Sequence, residues 1–475
     1  MDTIDYIASL WRQAGLPPQA LQDLELTGTA AALPSSFAVS KAAQASIALA
    51  ALAAAHCRHL RTGRRQQVSV DQRHAAIECR SDHYFAIDGK PVRFNDPLTG
   101  LYPCGEGGWV RIHANFAHHR EGALALLRSA PSREAIAAAL RGEDAVDFEA
   151  KAAALGLPIV ALRNFEQWDH HPQALALESL PTLTITRIGD APPMVARFAG
   201  DGEAGSHPAT ASATTALGPV RVLELTRILA GPVCGRTLAA YGAEVLLVNS
   251  PNLPNIDAIA DTSRGKLSAH LDLRHEADCA IMGQLLQTAD VFIQGYRPTA
   301  IAALGFGPQA LARDHPGIVY ASLSAWGPAG PWRSRRGFDS LVQTASGFNV
   351  AEAAAAGSEL PKPLPTQILD HASGYLMAFG IAAALARRTT EGGSWHVQVS
   401  LAQTARWLRS MGRTPGDLGI RDPGRDDVAD LLQASPSGFG SLTAVRHSAV
   451  FSQTPARWLR PSVPPGSNPP AWAPV

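Results

Sequence analysis

The sequence predicts an α/β protein: a large domain built on a doubly wound, Rossmann-like parallel sheet, with a smaller α+β domain beside it. Three observations predict this. Beyond residue 219, short apolar runs alternate with amphipathic stretches of helical length, the pattern of parallel sheets. A break at Gly200–Gly218, GDGEAGSHPATASATTALG, is poor in large apolar side chains and marks a linker. Two stretches repeat at a fixed offset. LPSSFAVSKAA (Leu33–Ala43) and LPTQILDHASG (Leu364–Gly374) each open an Ala-rich apolar helix, and each helix leads to a β-like V-S-[LV]-x-Q segment. Asp370 and Val39 are 331 positions apart, as are Ser400 and Ser69.

In order along the chain, residues 1–80 read as a degenerate copy of the second half of a large domain, and 81–199 as the small α+β domain. Residues 200–218 are the linker, and 219–475 the large domain with a Pro-rich tail. MDTIDYIASLWRQAGL carries acids and lacks a basic start before a long apolar core, so it does not read as a signal peptide. The run Ala42–Ala55 is too short for a membrane span and is expected to be a buried helix. In the small domain, WVRIHA reads as a strand after a Gly-rich turn; SREAIAAALRG, VDFEAKAAALG and RNFEQWDHHPQALA read as short helices. After the linker, the strand candidates are Val220–Thr226, Glu244–Ser250, AHLDLR, DVFIQGY and Gly317–Gly327. Helices are expected over AGPVCGRTLAAYGA and EADCAIMGQLLQTA. Ligands of such sheets sit at the carboxyl ends of the strands, which points to the loops after Thr226, Ser250, Gln294 and Ser324. The closing PSVPPGSNPPAWAPV is expected to be extended and irregular.

Composition bounds the function. The chain has 475 residues, 46% hydrophobic and 17% charged, enough for more than one core. With 41 basic and 41 acidic residues the net charge is +0, which favours neither nucleic acid nor an anionic membrane as partner. Five scattered cysteines with no C-x-x-C pair predict neither a disulfide framework nor a zinc site, and fit a reducing cytoplasm. His113, His118, His119, His170 and His171 lack the carboxylate or cysteine spacing that would complete a metal site, and no metal is expected.

Six motifs in order give a more specific reading: VRVLELTRILAGP; SRGKLSAHLDLR at Ser263–Arg274; IQGYRPTAIAALG at Ile293–Gly305; GFDSLVQTASG at Gly337–Gly347; Asp370 with Ser373, Gly374 and AAALARR; and VQVSL at Val397–Leu401. Together they resemble the class III CoA-transferases, the CaiB/BaiF or formyl-CoA transferase family. The N-terminal DPLTGLYPCGEGGWVRI and FEQWDHHPQALA resemble the second half of the same family, so the chain looks rearranged and partly duplicated.

The resemblance implies an enzyme that moves CoA from an acyl-CoA thioester to a small carboxylic acid, with acyl-CoA as substrate and no metal. It implies that Asp370 is the nucleophile, forming first a mixed anhydride and then an enzyme thioester, with Asp339 as a second acid nearby. It implies CoA binding by Arg227, Ala230 and Gly231 of RILAGP, by Arg264 and Lys266 of SRGK, and by Tyr296 and Arg297 of GYRP. A cytoplasmic homodimer follows from the same family. By position alone Asp370 also suits the N-cap of a helix over Ala372–Arg388, and Asp339 a turn. Phe338 stands where related racemases carry a histidine and cannot exchange protons, which argues against an acyl-CoA racemase or isomerase. Three departures fall on the CoA side: Leu247 and Asn249 in place of the family's K-V-E, Gly295 in place of an asparagine, and no G-D-x-x-R segment. They motivate an alternative, a catalytically inactive paralogue that binds CoA or a partner protein.

Overall fold

The computed structural model describes residues 2–92, 95–194 and 215–473; most of the expected linker lies outside them. The N-terminal elements are α1 (Thr3–Gln13), β1 (Leu24–Thr27), α2 (Val39–Thr62), β2 (Val68–Asp71), α3 (Gln72–Glu78), α4 (Ser81–Tyr84), β3 (Ala86–Ile87) and β4 (Lys90–Pro91). Next come β5 (Gly100–Pro103), β6 (Trp109–Ile112), α5 (Ala117–Leu127), α6 (Arg133–Leu140), α7 (Ala145–Ala154), β7 (Ile159–Ala161), α8 (Phe165–Asp169), α9 (Pro172–Leu177) and β8 (Leu183–Gly189). Then follow β9 (Arg221–Leu225), α10 (Ala230–Ala240), β10 (Glu244–Asn249), α11 (Ile259–Thr262), β11 (Lys266–His270), α12 (Glu276–Leu286), β12 (Val291–Gln294), α13 (Pro298–Ala303), α14 (Pro308–Asp314) and β13 (Val319–Ser324). The last are α15 (Asp339–Ala345), α16 (Phe348–Ala355), α17 (Ile368–Glu391), β14 (Ser394–Ser400), α18 (Leu401–Ser410), β15 (Leu432–Ser437), β16 (Gly440–Val445) and β17 (Ala449–Phe451).

The protein is mixed α/β. Its main sheet has seven strands in the order β11-β10-β9-β12-β13-β14-β8. All neighbours are parallel except β8, which runs antiparallel to β14. The inner strands β9 and β12 are buried on both faces and mostly apolar, which is why they read in sequence as near-continuous hydrophobic runs. The third strand starts earlier than its apolar pattern suggests: Lys266–His270 pairs with β10, and Leu271–Arg274 already leaves the sheet.

The two repeated stretches form two long helices, α2 and α17, which pack along each other through the core. Alanines at the interface let the helix backbones approach closely. Helix α2 ends on Gly63 at φ 71°, the left-handed conformation that glycine adopts at little cost. By length and composition α17 is apolar enough to cross a membrane, yet that stretch is entirely buried within the protein.

Each half closes the sheet of the other. The chain leaving β2 passes through α3 and the small unit and returns as β8, antiparallel on β14. The chain leaving β14 passes through α18 and a hairpin and returns as β17, antiparallel on β2. The hairpin β15–β16, in the region expected to pass straight to an irregular tail, continues onto β3 and β4 of the N-terminal half. The three-stranded sheet β1-β2-β17 therefore has the arrangement of the β13-β14-β8 edge. The small sheet β5-β6-β7 has a core of its own and packs on α15. After β17 the described residues contain no further helix or strand. The indole of Trp472 donates to the Leu285 carbonyl at 3.2 Å, pinning the Pro-rich end to α12.

Candidate functional site

Asp370 sits in the first turn of α17, whose N-cap is Gln367, so it is not the cap of a helix starting at Ala372. Its place in space follows from Gly374, one turn on. A Cβ there would lie 2.5 Å from the Ala230 carbonyl oxygen and 2.8 Å from Val233 Cγ1. Only glycine lets α17 lie this close to the start of α10. Gly231 does the same work on the other side, because a Cβ there would meet the Thr226 side chain at 2.5 Å. Between them, Ile228 holds φ at 78°, a strained value for a β-branched side chain. The loop Arg227–Ala230 is thereby turned onto the cavity that Asp370 lines, ahead of the start of α10.

A cavity of about 310 Å³ opens here at the carboxyl end of the sheet. Asp370 is the one carboxylate on its lining, and Arg227, Ala230, Tyr296 and Arg297 line it as well. Arg333, Arg335 and Arg336 of the RSRR run and His118 and His119 of the small unit complete the mouth. Arg227 lies over the rings of Phe116, at 5.6 Å, and Tyr296, at 6.0 Å. A second cavity of about 300 Å³ adjoins through Leu253 and Tyr296; it reaches Asn249 and Arg274. Asn249 donates to the Thr226 carbonyl at 3.1 Å, fastening β10 to the Arg227 loop.

Behind Asp370 is Asp339, fully buried at the start of α15. Its Oδ2 accepts from the Asp370 N–H at 3.0 Å, and its Oδ1 from the Gln343 amide. Burial pushes the Asp339 carboxyl up to about 6, against the opposing hydrogen bonds from Asp370 N–H and Gln343. Asp370 is raised well above the ordinary carboxylate range by burial first, then by the charges of Asp339 and Asp82.

Phe338 lies flat on His113, ring centres 3.7 Å apart. Burial, with His119 and Arg111 nearby, lowers His113 to about 3; burial and then His118 lower His119 to about 3. Neither is a cation or a useful base near neutral pH. Among the described residues no group of three His, Cys, Asp or Glu is placed to hold a metal ion.

Arg264 and Lys266 are not brought to the cavity. Lys266 is fully buried, 2.8 Å from Glu224 Oε2, and donates to the Pro232 carbonyl at 2.9 Å. Arg264 pairs with Asp261 at 2.5 Å and stacks on Trp458 at 3.7 Å. Both serve packing around α10 and β11. The site residues that the motifs did not indicate are Arg333, Arg335, Arg336 and the two histidines. The charge run of RSRR directly before GFD was the available signal for the arginines.

Residues 217–415 match the model of CoA-transferase family III. A probable fatty acyl-CoA transferase of Mycobacterium tuberculosis is 35% identical over 204 residues, which are 40% of this chain and 51% of that protein. An alpha-methylacyl-CoA racemase of Mus musculus is 33% identical over 213 residues, 44% of this chain and 55% of that protein. A crystal structure of the Mycobacterium protein aligns with 33% identity and a TM-score of 0.39, covering 42% of this chain and 58% of that one. The chain thus spans about half the length of these relatives. Over residues 217–415 the chain is therefore similar to CoA-transferase family III.

Proposed function

We propose that the protein transfers coenzyme A from an acyl-CoA thioester to a carboxylic acid, with Asp370 as nucleophile. The observation that carries this is the lining of the cavity: a single carboxylate, Asp370, faces a mouth rich in arginine at the carboxyl end of the sheet. The strand order 3-2-1-4-5-6 from β9 to β14 supports reading this sheet as doubly wound and Rossmann-like, a class whose ligands bind at this edge. The two adjoining cavities suit an extended anionic substrate, with Arg227, Arg297 and Arg336 meeting phosphate oxygens.

The chemistry follows from the carboxylate. Asp370 attacks the thioester carbonyl and expels CoA thiolate, leaving a mixed anhydride. The thiolate attacks the aspartyl carbonyl, releasing the first acid and leaving an Asp370–CoA thioester. The acceptor carboxylate attacks that thioester, and the thiolate then takes the acceptor's acyl group and frees Asp370. Each step exchanges one leaving group for another, so no external proton or redox partner is needed. Burial, then the charges of Asp339 and Asp82, raise the Asp370 carboxyl above the ordinary carboxylate range, while its place in the first turn of α17 favours the ionised form. The loop at Ile228–Ala230, which lines the cavity with Asp370, is the proposed source of backbone donors for the oxyanion that develops in each attack.

Incubation with a panel of short- and long-chain acyl-CoA thioesters, followed by hydroxylamine, converts an activated aspartyl group to a hydroxamate. Peptide mass spectrometry then finds the adduct at Asp370 in the wild type and none in Asp370→Asn. A protein that binds CoA yet stays unmodified supports the inactive-paralogue reading instead. The racemase relative motivates one further control, solvent deuterium uptake at the α-carbon of a branched acyl-CoA. With Phe338 stacked on a neutral His113, no uptake is expected.

A further inference from the structure

The N-terminal copy carries Val39 where the C-terminal copy carries Asp370, yet its chain reaches back to that aspartate. Three side-chain bonds join residues 79–82 to residues 366–371. The Thr366 hydroxyl donates to the Cys79 carbonyl. The Gln367 amide donates to Asp82 Oδ2 at 3.3 Å. His371 Nε2 lies 3.0 Å from Asp82 Oδ1, with the His371 ring fully buried. Gln367 is the N-cap of α17, and His371 directly follows Asp370. The start of the helix that bears the carboxylate is thus clamped by a segment almost 290 residues earlier in the chain.

We propose that Asp82 is a positioning residue for Asp370, holding the first turn of α17 through Gln367 and His371 and placing a fixed negative charge behind the carboxylate. The inference rests on Asp370 as the reactive group, and it gives the N-terminal half a part in the site. Burial works against ionisation of Asp82, but the hydrogen bond and charge of His371 and the bond from Gln367 outweigh it and hold the carboxyl below its ordinary value. Its charge in turn raises Asp370. The other titratable groups around Asp370 are Asp339 on α15, His371 on its own helix and Arg111 of β6, which faces Asp339, and across the cavity Arg227, Arg297, Arg333, Arg335, Arg336, His118 and His119.

Two readouts that do not require turnover test this. Carbodiimide labelling of Asp370 across pH reports the titration midpoint of its carboxyl, with exposed Asp190 as the internal standard. Amide exchange over residues 368–372 reports the clamp. In Asp82→Ala, exchange over this turn accelerates about tenfold or more relative to the rest of α17, and the labelling midpoint falls. In Asp82→Asn, which keeps an acceptor for His371, the turn stays protected and the midpoint still falls by about one pH unit. The second variant separates charge from mere support and decides the matter alone if Asp82→Ala does not fold. An unchanged midpoint in Asp82→Asn, or unchanged exchange in a folded Asp82→Ala, overturns the proposal. Failure of the functional reading shows separately, as the absence of a hydroxamate on Asp370 in the wild type.

Discussion

Lys266→Met distinguishes a buried structural cation from a phosphate ligand. Lys266 and Glu224 are both 0% exposed. The ammonium contacts Glu224 Oε2 at 2.8 Å, Glu224 Oε1 at 3.0 Å and the Pro232 carbonyl at 2.9 Å. Burial pushes Glu224 up and Lys266 down, each against the pull of the other's charge. Methionine fills the volume but leaves Glu224 without its cation, and breaking such a pair costs about 3–5 kcal/mol. Against a typical total of about 5–15 kcal/mol this is a large fraction. Urea unfolding followed by tryptophan fluorescence should show the midpoint falling steeply. Lys266→Met/Glu224→Gln should recover at least half of the loss, because no charge is then stranded. The reasoning is refuted if Lys266→Met keeps wild-type stability and loses affinity only for CoA.

Further outcomes follow from the same geometry. Gly374→Ala forces a Cβ to within 2.5 Å of the Ala230 carbonyl; overpacking of this kind costs about 1–3 kcal/mol, and thermal melts should show it together with a loss of hydroxamate formation. Asp339 binds its proton more tightly folded, at about 6, than its ordinary 3.8, so the native state holds the extra proton between those values and stability falls as pH rises through them, by about 3 kcal/mol for this group. Asp339→Asn should flatten that part of the stability–pH curve. Arg336→Glu reverses one charge at the mouth and should weaken CoA binding at least tenfold by calorimetry, with the effect shrinking in high salt. The strand exchange between halves is complete within one polypeptide, so light scattering of the 50.1 kDa chain should give a monomer mass; twice that mass would indicate the homodimer expected from the family.

The sequence revealed most where the signal is local. Continuous apolar runs such as VRVLEL and EVLLV became inner strands because a parallel sheet buries both faces. Gly374 lets α17 lie against the start of α10, and Gly231 lets α10 lie against Thr226, through contacts that only glycine permits. The motifs failed where the partner is distant. SRGK advertises two cations, but nothing local shows that Glu224, 42 positions away, claims Lys266. In the same way the Asp82–His371 contact spans 289 positions. The reciprocal closure of the two half-sheets was also invisible, since the partners of β8 and β17 lie in the other half, far off in sequence. The alternative of Asp370 as the cap of a helix from Ala372 does not hold: helical pattern alone does not fix a first turn, and Ile368 and Leu369 are already helical.

The central claim is that CoA passes through the carboxylate of Asp370. Turnover with an acceptor acid labelled with heavy oxygen on both carboxyl positions tests it directly, read by mass spectrometry of the peptide containing Asp370. If acceptor oxygen attacks an Asp370–CoA thioester, one heavy oxygen remains on the Asp370 carboxyl after the new acyl-CoA leaves. Transfer of CoA with no heavy oxygen in that peptide would contradict the account.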